Sequence, residues 1–433
     1  MDKVCKTVHQ YNKEPVRDAD MAKLLEVAED YCKVKNYVYA RFGGMKSLKK
    51  LYPGYTVQNE MTKSGLREQL GMPSVYFYLA VFEALGEIKS QWTRTKSRLS
   101  TLVNRNENFT AQEKHYLRFL LKVNNAFEAV LNGVPVSLEE SLFQQYELLA
   151  GEVDREKMGR YLCRQVRRCH AKPHTVKTEG FAASERAYRY ADHGIYLSVK
   201  EKRKRIFVPL TDNNSYKSQI YVKLHPDREK VEICIPVQVA VQEHTDFKKH
   251  VGLAEGMLVM LTTDEGCEYG ERLGEYQTAY ADWIQKQTKS YNRNRADNPG
   301  RKKYGDQKKR YEERMHSYIN QELNRFLKTE KPEVIYIPKL LKPGTGGGIN
   351  RKMNHTVSLW QRGYIHKRLV QKCRENSVRI VEVMGKDISR QCSCCGETGC
   401  RQEKGFVCEH CGYTAKEKIN AARNAKMRGM SSL

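Results

Sequence analysis

The stretch that decides the fold of the later part of this chain is residues 392–424, which read CSCCGETGCRQEKGFVCEHCGYTAKEKINAARN. It contains two Cys-x2-Cys pairs, Cys392 with Cys395 and Cys408 with Cys411, separated by a spacer of twelve residues. Each pair can supply two thiolates from one tight turn, and the spacer can form a hairpin that brings the pairs together. The spacing therefore predicts that these four cysteines hold a structural zinc ion in tetrahedral coordination.

The distribution of cysteines favours a metal over a disulfide framework. Of the 13 cysteines, six lie between Cys392 and Cys411. The first residues lack the apolar core of a signal peptide, and no run of about eighteen apolar residues indicates a membrane span, so we expect a reducing cytoplasm. Three further donors in the same segment stay open as alternative ligands: Cys394, Cys400 and His410.

Upstream of the cysteines, from about residue 248, strands alternate with helices. Residues 251–255, 334–338 and 378–384 have the apolar, β-branched composition of strands, and helical patterns at 275–327 and 360–375 lie between them. Strands that alternate with helices are typical of an α/β sheet. We therefore predict an α/β domain in which the cysteine segment is inserted.

The rest of the chain, nearly three fifths of its length, is a helical region flanked by strands. Residues 3–9 alternate polar and apolar side chains, helical periodicity then dominates to about residue 170, and a period of two returns from about 174 to 242. An early strand, a helical insertion and further strands together predict a β-barrel that is interrupted by a helical lobe.

The chain is strongly basic. It has 76 lysines and arginines against 51 aspartates and glutamates, a formal charge of +25. Such an excess favours a polyanionic partner, and nucleic acid is the commonest one. A basic protein without such a partner is the alternative that charge alone leaves open.

The tail and the strand 251–255 together resemble the TnpB-like family of RuvC-type nucleases and the miniature type V CRISPR effectors, including the intermediates called TranC. Lys416-Glu417-Lys418-Ile419-Asn420-Ala421-Ala422-Arg423-Asn424 matches the closing helix of that family. Val251-Gly252-Leu253-Ala254-Glu255-Gly256 matches its Gly-Ile-Asp-x-Gly pattern, with Ala254 at the aspartate position. The resemblance covers the whole chain in domain order, but its specific motifs lie within 250–433.

This resemblance implies a multidomain α+β architecture with defined parts. The expected parts are the first strand of a wedge β-barrel at 1–14, a helical recognition lobe at 15–172, the rest of the barrel at 173–247, an RNase H-like RuvC domain at 248–390 with a basic helical segment at 275–327, a zinc ribbon at 391–412, and a closing RuvC helix with its tail at 413–433. It also implies a bacterial, nucleoid-associated effector. The expected partners are a guide RNA and a double-stranded target DNA with a short flanking motif, and no membrane. Whether the protein is a monomer or a homodimer stays open.

The catalytic acids of such a nuclease are displaced in this chain. Two-metal cleavage needs carboxylates around magnesium ions, and Ala254 offers no ligand. The second acid of the family follows the strand 334–338, where this sequence reads Ile337-Pro338-Lys339-Leu340. We predict that Glu382, among apolar neighbours in the next strand, is a relocated acid, because a buried unpaired carboxylate is costly. A salt-bridged or exposed glutamate is the alternative.

The third acid of the family stands two residues before the asparagine of the Asn-Ala-Ala-Arg-Asn motif, and here that position is Lys418. Glu417 is one residue earlier and is the candidate replacement, with a capping or surface role as the alternative. Glu255 is no simple substitute, because neighbouring residues of a strand point to opposite faces. Two displaced acids beside one alanine favour a nuclease that was inactivated by engineering at position 254, with its magnesium binding weakened or lost. Natural decay of the site is the other account.

Clusters of cations are candidates for binding nucleic acid. Arginines and lysines between 286 and 314 would neutralise phosphates, and the interleaved Tyr291, Tyr304 and Tyr311 are candidates for base stacking. The predicted contact residues are Lys286, Lys289, Arg293, Arg295, Arg301, Lys302, Lys303, Arg310, Arg167, Arg168, Arg186 and Arg189. A solvated charged helix is the alternative. Sequence specificity is expected from pairing between guide and target.

Three functional hypotheses follow. The chain is an RNA-guided DNA endonuclease disabled at Ala254, a naturally nuclease-dead RNA-guided transcriptional repressor, or a zinc-ribbon DNA-binding protein associated with transposition that uses no guide RNA. Restoring an aspartate at position 254 distinguishes the first two, and a co-purifying small RNA distinguishes both from the third.

Overall fold

The computed structural model describes residues 3–52, 54–291, 300–339, 357, 359–402 and 405–431, although the side chains at 288–291, 300–303 and 401 lie outside the description. The chain divides into two compact units, one formed by Cys5–Val237 and the other by Met1–Val4 with Gln238–Leu433. Among the described helices, none is apolar over a length that would cross a bilayer.

The first unit contains a helical lobe, as the periodicity predicts. Its helices are α1 (Asp18–Phe42), α2 (Tyr55–Thr62), α3 (Leu66–Leu70), α4 (Ser74–Arg105), α5 (Ala111–Lys122), α6 (Asn124–Asn132), α7 (Glu140–Gly151) and α8 (Arg155–Cys169). The capping box expected at the start of α5 is present, since Thr110 accepts from the Glu113 amide and Glu113 accepts from the Thr110 amide. The long helices α1 and α4 pack on each other and form the centre of this core.

The strands that lie wholly or mainly in the first unit form two sheets. They are β1 (Lys3–Tyr11), β2 (Gly180–Ala183), β3 (Tyr188–Ala191), β4 (Gly194–Ser198), β5 (Arg205–Pro209), β6 (Ile220–His225) and β7 (Lys230–Ala240). One sheet has the order β1-β7-β6-β2 and the other the order β3-β4-β5. The expected closed barrel is not found among the described residues. A single bridge, Asn12 to Leu210, joins the ends of β1 and β5, whereas closure needs a continuous ladder.

The second unit contains the predicted α/β sheet. Its elements are β8 (Lys249–Glu255), β9 (Leu261–Thr263), β10 (Glu268–Tyr269), α9 (Leu273–Tyr291), α10 (Gly300–Glu330), β11 (Pro332–Lys339), α11 (Arg362–Glu375), β12 (Arg379–Met384), β13 (Cys400–Gln402), β14 (Gly405–Val407), β15 (Thr414–Ala415) and α12 (Glu417–Met430). The main sheet has the order β10-β9-β8-β11-β12. Strands β8, β11 and β12 are parallel to one another, β9 is antiparallel to β8, and β10 is antiparallel to β9.

The two faces of this sheet are covered by different helices. Val251 and Leu253 of β8 belong to a core that includes side chains of α10 and α11. Ala254 belongs instead to a small core built largely from the alanines of α12: Ala421, Ala422 and Ala425. A Cβ on Gly252 would overlap the backbone oxygen of Ala422, so only glycine permits this close approach. The small residues of the Asn-Ala-Ala-Arg-Asn motif therefore bring α12 directly onto β8.

Candidate functional site

The structure brings together the four cysteines of the two Cys-x2-Cys pairs. Their sulfurs all lie within 4.8 Å of one another, with Cys392 Sγ 3.7 Å from Cys411 Sγ and Cys395 Sγ 3.6 Å from Cys408 Sγ. Four thiolates at about 2.3 Å from a tetrahedral zinc ion are about 3.8 Å apart. The group therefore has the size and donor set that zinc needs. The alternative donors Cys394, Cys400 and His410 are not part of this group.

The local backbone explains how the four thiols come together. The antiparallel strands β13, β14 and β15 form the hairpin between and after the pairs. Gly396 and Gly412 follow the second cysteine of each pair with φ of 81° and 72°, which favour glycine. Amides of Cys411 and His410 lower the pKa of Cys408 to about 7. The Tyr413 amide lowers the pKa of Cys411, but desolvation and the neighbouring sulfurs together outweigh it and raise that pKa to about 12. A bound cation is what would allow all four to ionise together.

Two asparagines of α12 hold the cysteine segment in place. Asn420 donates to the Gln391 carbonyl at 2.8 Å and accepts from the Ser393 amide at 2.9 Å. Asn424 donates to the carbonyls of Ile388 and Gln391 at 2.8 and 2.7 Å. Both side chains are buried. The asparagines of the motif therefore have a structural role here, which the sequence motif alone did not show.

On the face of the sheet that carries Ala254, the positions of the first two expected acids hold Ala254 and Pro338. Ala254 is 4% exposed and packs against α12. Pro338 pairs with Val383 of β12 and lies two residues beyond Tyr336, which pairs with Gly252, so the register places it beside Ala254. Lys418 donates from Nζ to the Glu255 carbonyl at 3.0 Å. An ammonium group therefore lies at the end of β8 where the family pattern has carboxylates.

Glu382 lies on the opposite face of the sheet from Ala254. It pairs with Ile337, a member of the core on the α10 and α11 side, whereas the next residue, Val383, packs with Ala254. The expectation that Glu382 is buried is wrong, because β12 is an edge strand and the side chain is 41% exposed. The structure thus does not bring Glu382 to position 254.

Glu417 is the first residue of α12 and is partly buried. It precedes Ala421 by one helical turn, so both point to the same side of the helix. Its proposed place among the acids stays a prediction.

A second group of titratable side chains, which the sequence did not reveal, lies on the α11 face. The Glu255 side chain is 1% exposed, and among the described residues neither of its oxygens has a hydrogen-bond partner. His366 of α11 lies between two carboxylates, with Nδ1 3.8 Å from Glu255 Oε1 and Nε2 3.1 Å from Glu382 Oε1. The carboxylates of Glu255 and Glu382 raise the pKa of His366, against the effect of burial. The proton on this imidazole is therefore stabilised by both acids.

Several predicted nucleic-acid residues are exposed on their units. Lys286 and Arg310 are exposed on α9 and α10, and Arg167, Arg168 and Arg186 are exposed on the first unit. Arg189 is exposed and lies over the ring of Tyr196 at 5.2 Å. The remaining predicted contacts lie outside the described residues or side chains: Lys289, Arg293, Arg295, Arg301, Lys302 and Lys303.

The tyrosines interleaved with these cations have partners inside the protein. Tyr304 and Tyr311 lie 5.1 and 5.2 Å from the ring of Trp283. These rings join α9 to α10, so each has an aromatic partner within the helical pair, and base stacking by them stays a prediction. The side chain of Tyr291 lies outside the description.

Comparison with known proteins gives a match in the segment that holds the cysteines. Residues 363–425 match the family model described as Cas12f1-like, TNB domain. A TnpB-like protein from Aquifex aeolicus (strain VF5) is 31% identical over 111 residues, which are 24% of this chain and 36% of that protein. The chain thus matches about a third of the length of this curated relative.

Solved structures give weaker similarities over nearly the whole chain. A cryo-EM structure of a Cas12f1–sgRNA–target DNA complex is 13% identical with a TM-score of 0.45, over 98% of this chain and 99% of that one. A structure of the mini RNA-guided endonuclease CRISPR-Cas phi3 is 11% identical with a TM-score of 0.48, over 98% and 92%. Both TM-scores are below 0.5, so the similarity of this chain to TnpB-like and Cas12f1-like proteins rests on the sequence matches.

Proposed function

Because this chain is a member of the TnpB-like and Cas12f-like proteins and carries a Cas12f1-like TNB domain, we propose that it is an RNA-guided DNA-binding effector that holds its target without cutting it. The order β10-β9-β8-β11-β12, closed by α12, is consistent with an RNase H-like domain of the RuvC type. The charge of +25 is suited to an RNA–DNA duplex, whose backbone attracts cations regardless of sequence.

A zinc ribbon is part of this proposal. Cys392, Cys395, Cys408 and Cys411 would hold the ion as thiolates, which supplies folding free energy to residues 392–411. Asn420 and Asn424 would transmit that order to α12, because they bind the backbone on which the first pair begins. The ion has a structural role in this arrangement.

The observation that carries the absence of cutting is the composition of the α12 face. Position 254 has a methyl group, Pro338 replaces the second acid, and the ammonium group of Lys418 lies at the end of β8. Magnesium requires oxygen ligands, preferably carboxylates, and a nearby cation repels it. Glu382 faces α11, away from Ala254, so Glu417 is the single predicted acid on the Ala254 side. One carboxylate beside an ammonium group does not fit a two-metal centre.

This geometry favours natural loss of the site over a single engineered alanine. An Ala254→Asp substitution would introduce one carboxylate beside Lys418 and would leave Glu382 on the other face. Nuclease activity would therefore require more than that one change. A role as a repressor that blocks its target follows from binding without cleavage.

The test begins with RNA that co-purifies with the chain, identified by sequencing and then supplied in defined form. We expect DNA binding that depends on the guide, with a matched target bound at least 100-fold more tightly than a scrambled one. We also expect no plasmid cleavage in magnesium by the wild type or by Ala254→Asp. The control is Ala254→Asn, which has the same shape without the charge.

Each other outcome selects a different hypothesis. Cleavage by Ala254→Asp alone would refute our proposal and identify a nuclease disabled at one position. DNA binding that is equally strong without RNA would support the third hypothesis, a zinc-ribbon DNA-binding protein. The salt dependence of binding gives an independent measure of how many phosphates the exposed cations contact.

A further inference from the structure

A group of three potential metal ligands lies in the first unit, far in sequence from the cysteine pairs. His9 projects from β1, and Glu232 and Cys234 project from β7. Their ligand atoms lie within 4.8 Å of one another. His9 Nδ1 is 2.7 Å from Glu232 Oε1, Cys234 Sγ is 3.6 Å from His9 Nδ1, and Cys234 Sγ is 3.5 Å from Glu232 Oε1.

These distances agree with those around a tetrahedral zinc ion. Bonds of about 2.3 Å to sulfur and about 2.1 Å to nitrogen and oxygen place the sulfur about 3.6 Å from each of the other two atoms. Both observed separations from Cys234 Sγ are within about 0.1 Å of that value. The nitrogen and oxygen would separate from their hydrogen bond to about 3.4 Å.

The sheet holds the three donors on one face. Glu232 and Cys234 are two residues apart on one strand, so their side chains point the same way. β1 and β7 are hydrogen-bonded neighbours, which fixes His9 beside them. The arrangement is thus imposed by main-chain pairing and does not depend on a flexible loop.

We propose that His9, Glu232 and Cys234 form a second metal site, which takes a divalent transition ion such as zinc and joins β1 to β7. One nitrogen, one oxygen and one sulfur ligand suit zinc or cobalt better than magnesium or calcium. His225 borders the group, with its Nε2 3.3 Å from Glu232 Oε2, but it is not one of the donors that lie within 4.8 Å of one another, so solvent would complete the coordination. This inference does not rest on the proposed function.

Lys223 is the competitor for this site. Its Nζ is 3.1 Å from Glu232 Oε1, so without a metal the carboxylate has an ordinary ion pair. Burial would raise the pKa of Glu232, but hydrogen bonds from Lys223, His9 and His225 hold it at about 2, which keeps the ligand ionised. The Lys223 side chain is 42% exposed and can turn into solvent when a cation binds. Metal binding and the Lys223 ion pair are therefore alternatives.

Zinc per chain, measured on purified full-length protein reloaded with zinc and freed of excess, tests the proposal. We expect two ions in the wild type, and one in His9→Ala and in Cys234→Ser. The matched control is Cys5→Ser, which removes an exposed thiol from the same strand β1 and should leave two. His9 is 41% exposed, so its removal should spare the fold even where that of the buried Cys234 does not.

A second variant distinguishes a metal site from a group of side chains that is held together by ion pairs alone. Lys223→Met removes the competing cation, so cobalt titrated into this variant should bind about tenfold more tightly, with a thiolate-to-cobalt absorption that Cys234→Ser lacks. One zinc per wild-type chain, or two that persist in His9→Ala, would overturn the proposal. Cobalt affinity unchanged by Lys223→Met would overturn the claim that Lys223 competes for the site.

Discussion

Ala254→Asp is the substitution that examines the site most directly, because its effect on stability can be estimated from the burial of one methyl group. Ala254 is 4% exposed, and its surroundings are mainly apolar: Val383, Ile388, Ala421, Ala422 and Ala425. Of the predicted acids, Glu382 lies on the other face of the sheet, which leaves Glu417 as the single predicted carboxylate on the side of an aspartate introduced there. We expect the folded protein to hold it protonated at neutral pH.

The expected loss of unfolding free energy is the cost of keeping this aspartate protonated. Keeping an aspartate neutral costs about 1.4 kcal/mol for each pH unit above its ordinary pKa of about 3.9, which is about 4 kcal/mol at pH 7. The Lys418 ammonium, which lies at the Glu255 carbonyl, would offset part of this cost. We therefore expect Ala254→Asp to lower the free energy of unfolding by about 2–4 kcal/mol at pH 7.

The pH dependence identifies the cause. A carboxyl group whose pKa is raised in the folded state destabilises above its unfolded pKa, so the deficit should shrink to about 1 kcal/mol near pH 4, where only crowding persists. The assay is denaturant unfolding followed by tryptophan fluorescence and repeated from pH 4 to 8. Ala254→Asn should be destabilised by an amount that does not change with pH. An aspartate variant as stable as the wild type at pH 7, or one that magnesium stabilises, would refute the reasoning.

Three further predictions concern the same unit. Cys408→Ser should release the zinc of the cysteine centre and loosen residues 392–411, seen as lost metal and faster amide exchange there; retained zinc would contradict the assignment. Asn424→Ala should cost about 1–3 kcal/mol of unfolding free energy, because it leaves the buried Ile388 carbonyl without its donor and removes one of the two donors to the Gln391 carbonyl; a change below about 0.5 kcal/mol in denaturant unfolding would contradict the structural role of Asn424. The raised pKa of His366 stabilises the fold below its unfolded pKa of about 6.5, and this stability is lost as pH rises through the folded pKa; His366→Gln should flatten that dependence, and an unchanged profile would show that the imidazole is not the source.

Local features of the fold could be predicted from the sequence. The capping box of Thr110 and Glu113 involves residues three apart, and each Cys-x2-Cys pair forms within one turn, so spacing alone is informative. The alternation of strands and helices likewise predicted the α/β sheet of the second unit. These inferences needed no knowledge of distant contacts.

The remainder depended on contacts between distant residues. Glu382 has apolar neighbours in sequence, but its exposure follows from the position of β12 at the edge of the sheet. The approach of His366 to Glu255 joins residues more than a hundred positions apart, and no periodicity signals it. The sequence likewise could not show Trp283 beside Tyr304 and Tyr311, the candidates for base stacking. In each case the partner was set by tertiary packing.

The close packing of α12 on β8 also determines when the second unit can finish folding during protein synthesis. Ala421 follows Ala254 by 167 residues, so a ribosome that adds about 5–20 residues per second makes the helix about 8–30 s after the strand. Until then the Gly252 and Ala254 face of the sheet has no cover. Products of translation that stop before residue 417 keep that face bare, and we expect proteases and chaperones to remove them. The alanine methyl groups of α12 and the glycine at 252 thus determine whether this face is covered. We expect cellular quality control to distinguish complete chains from interrupted ones by that difference.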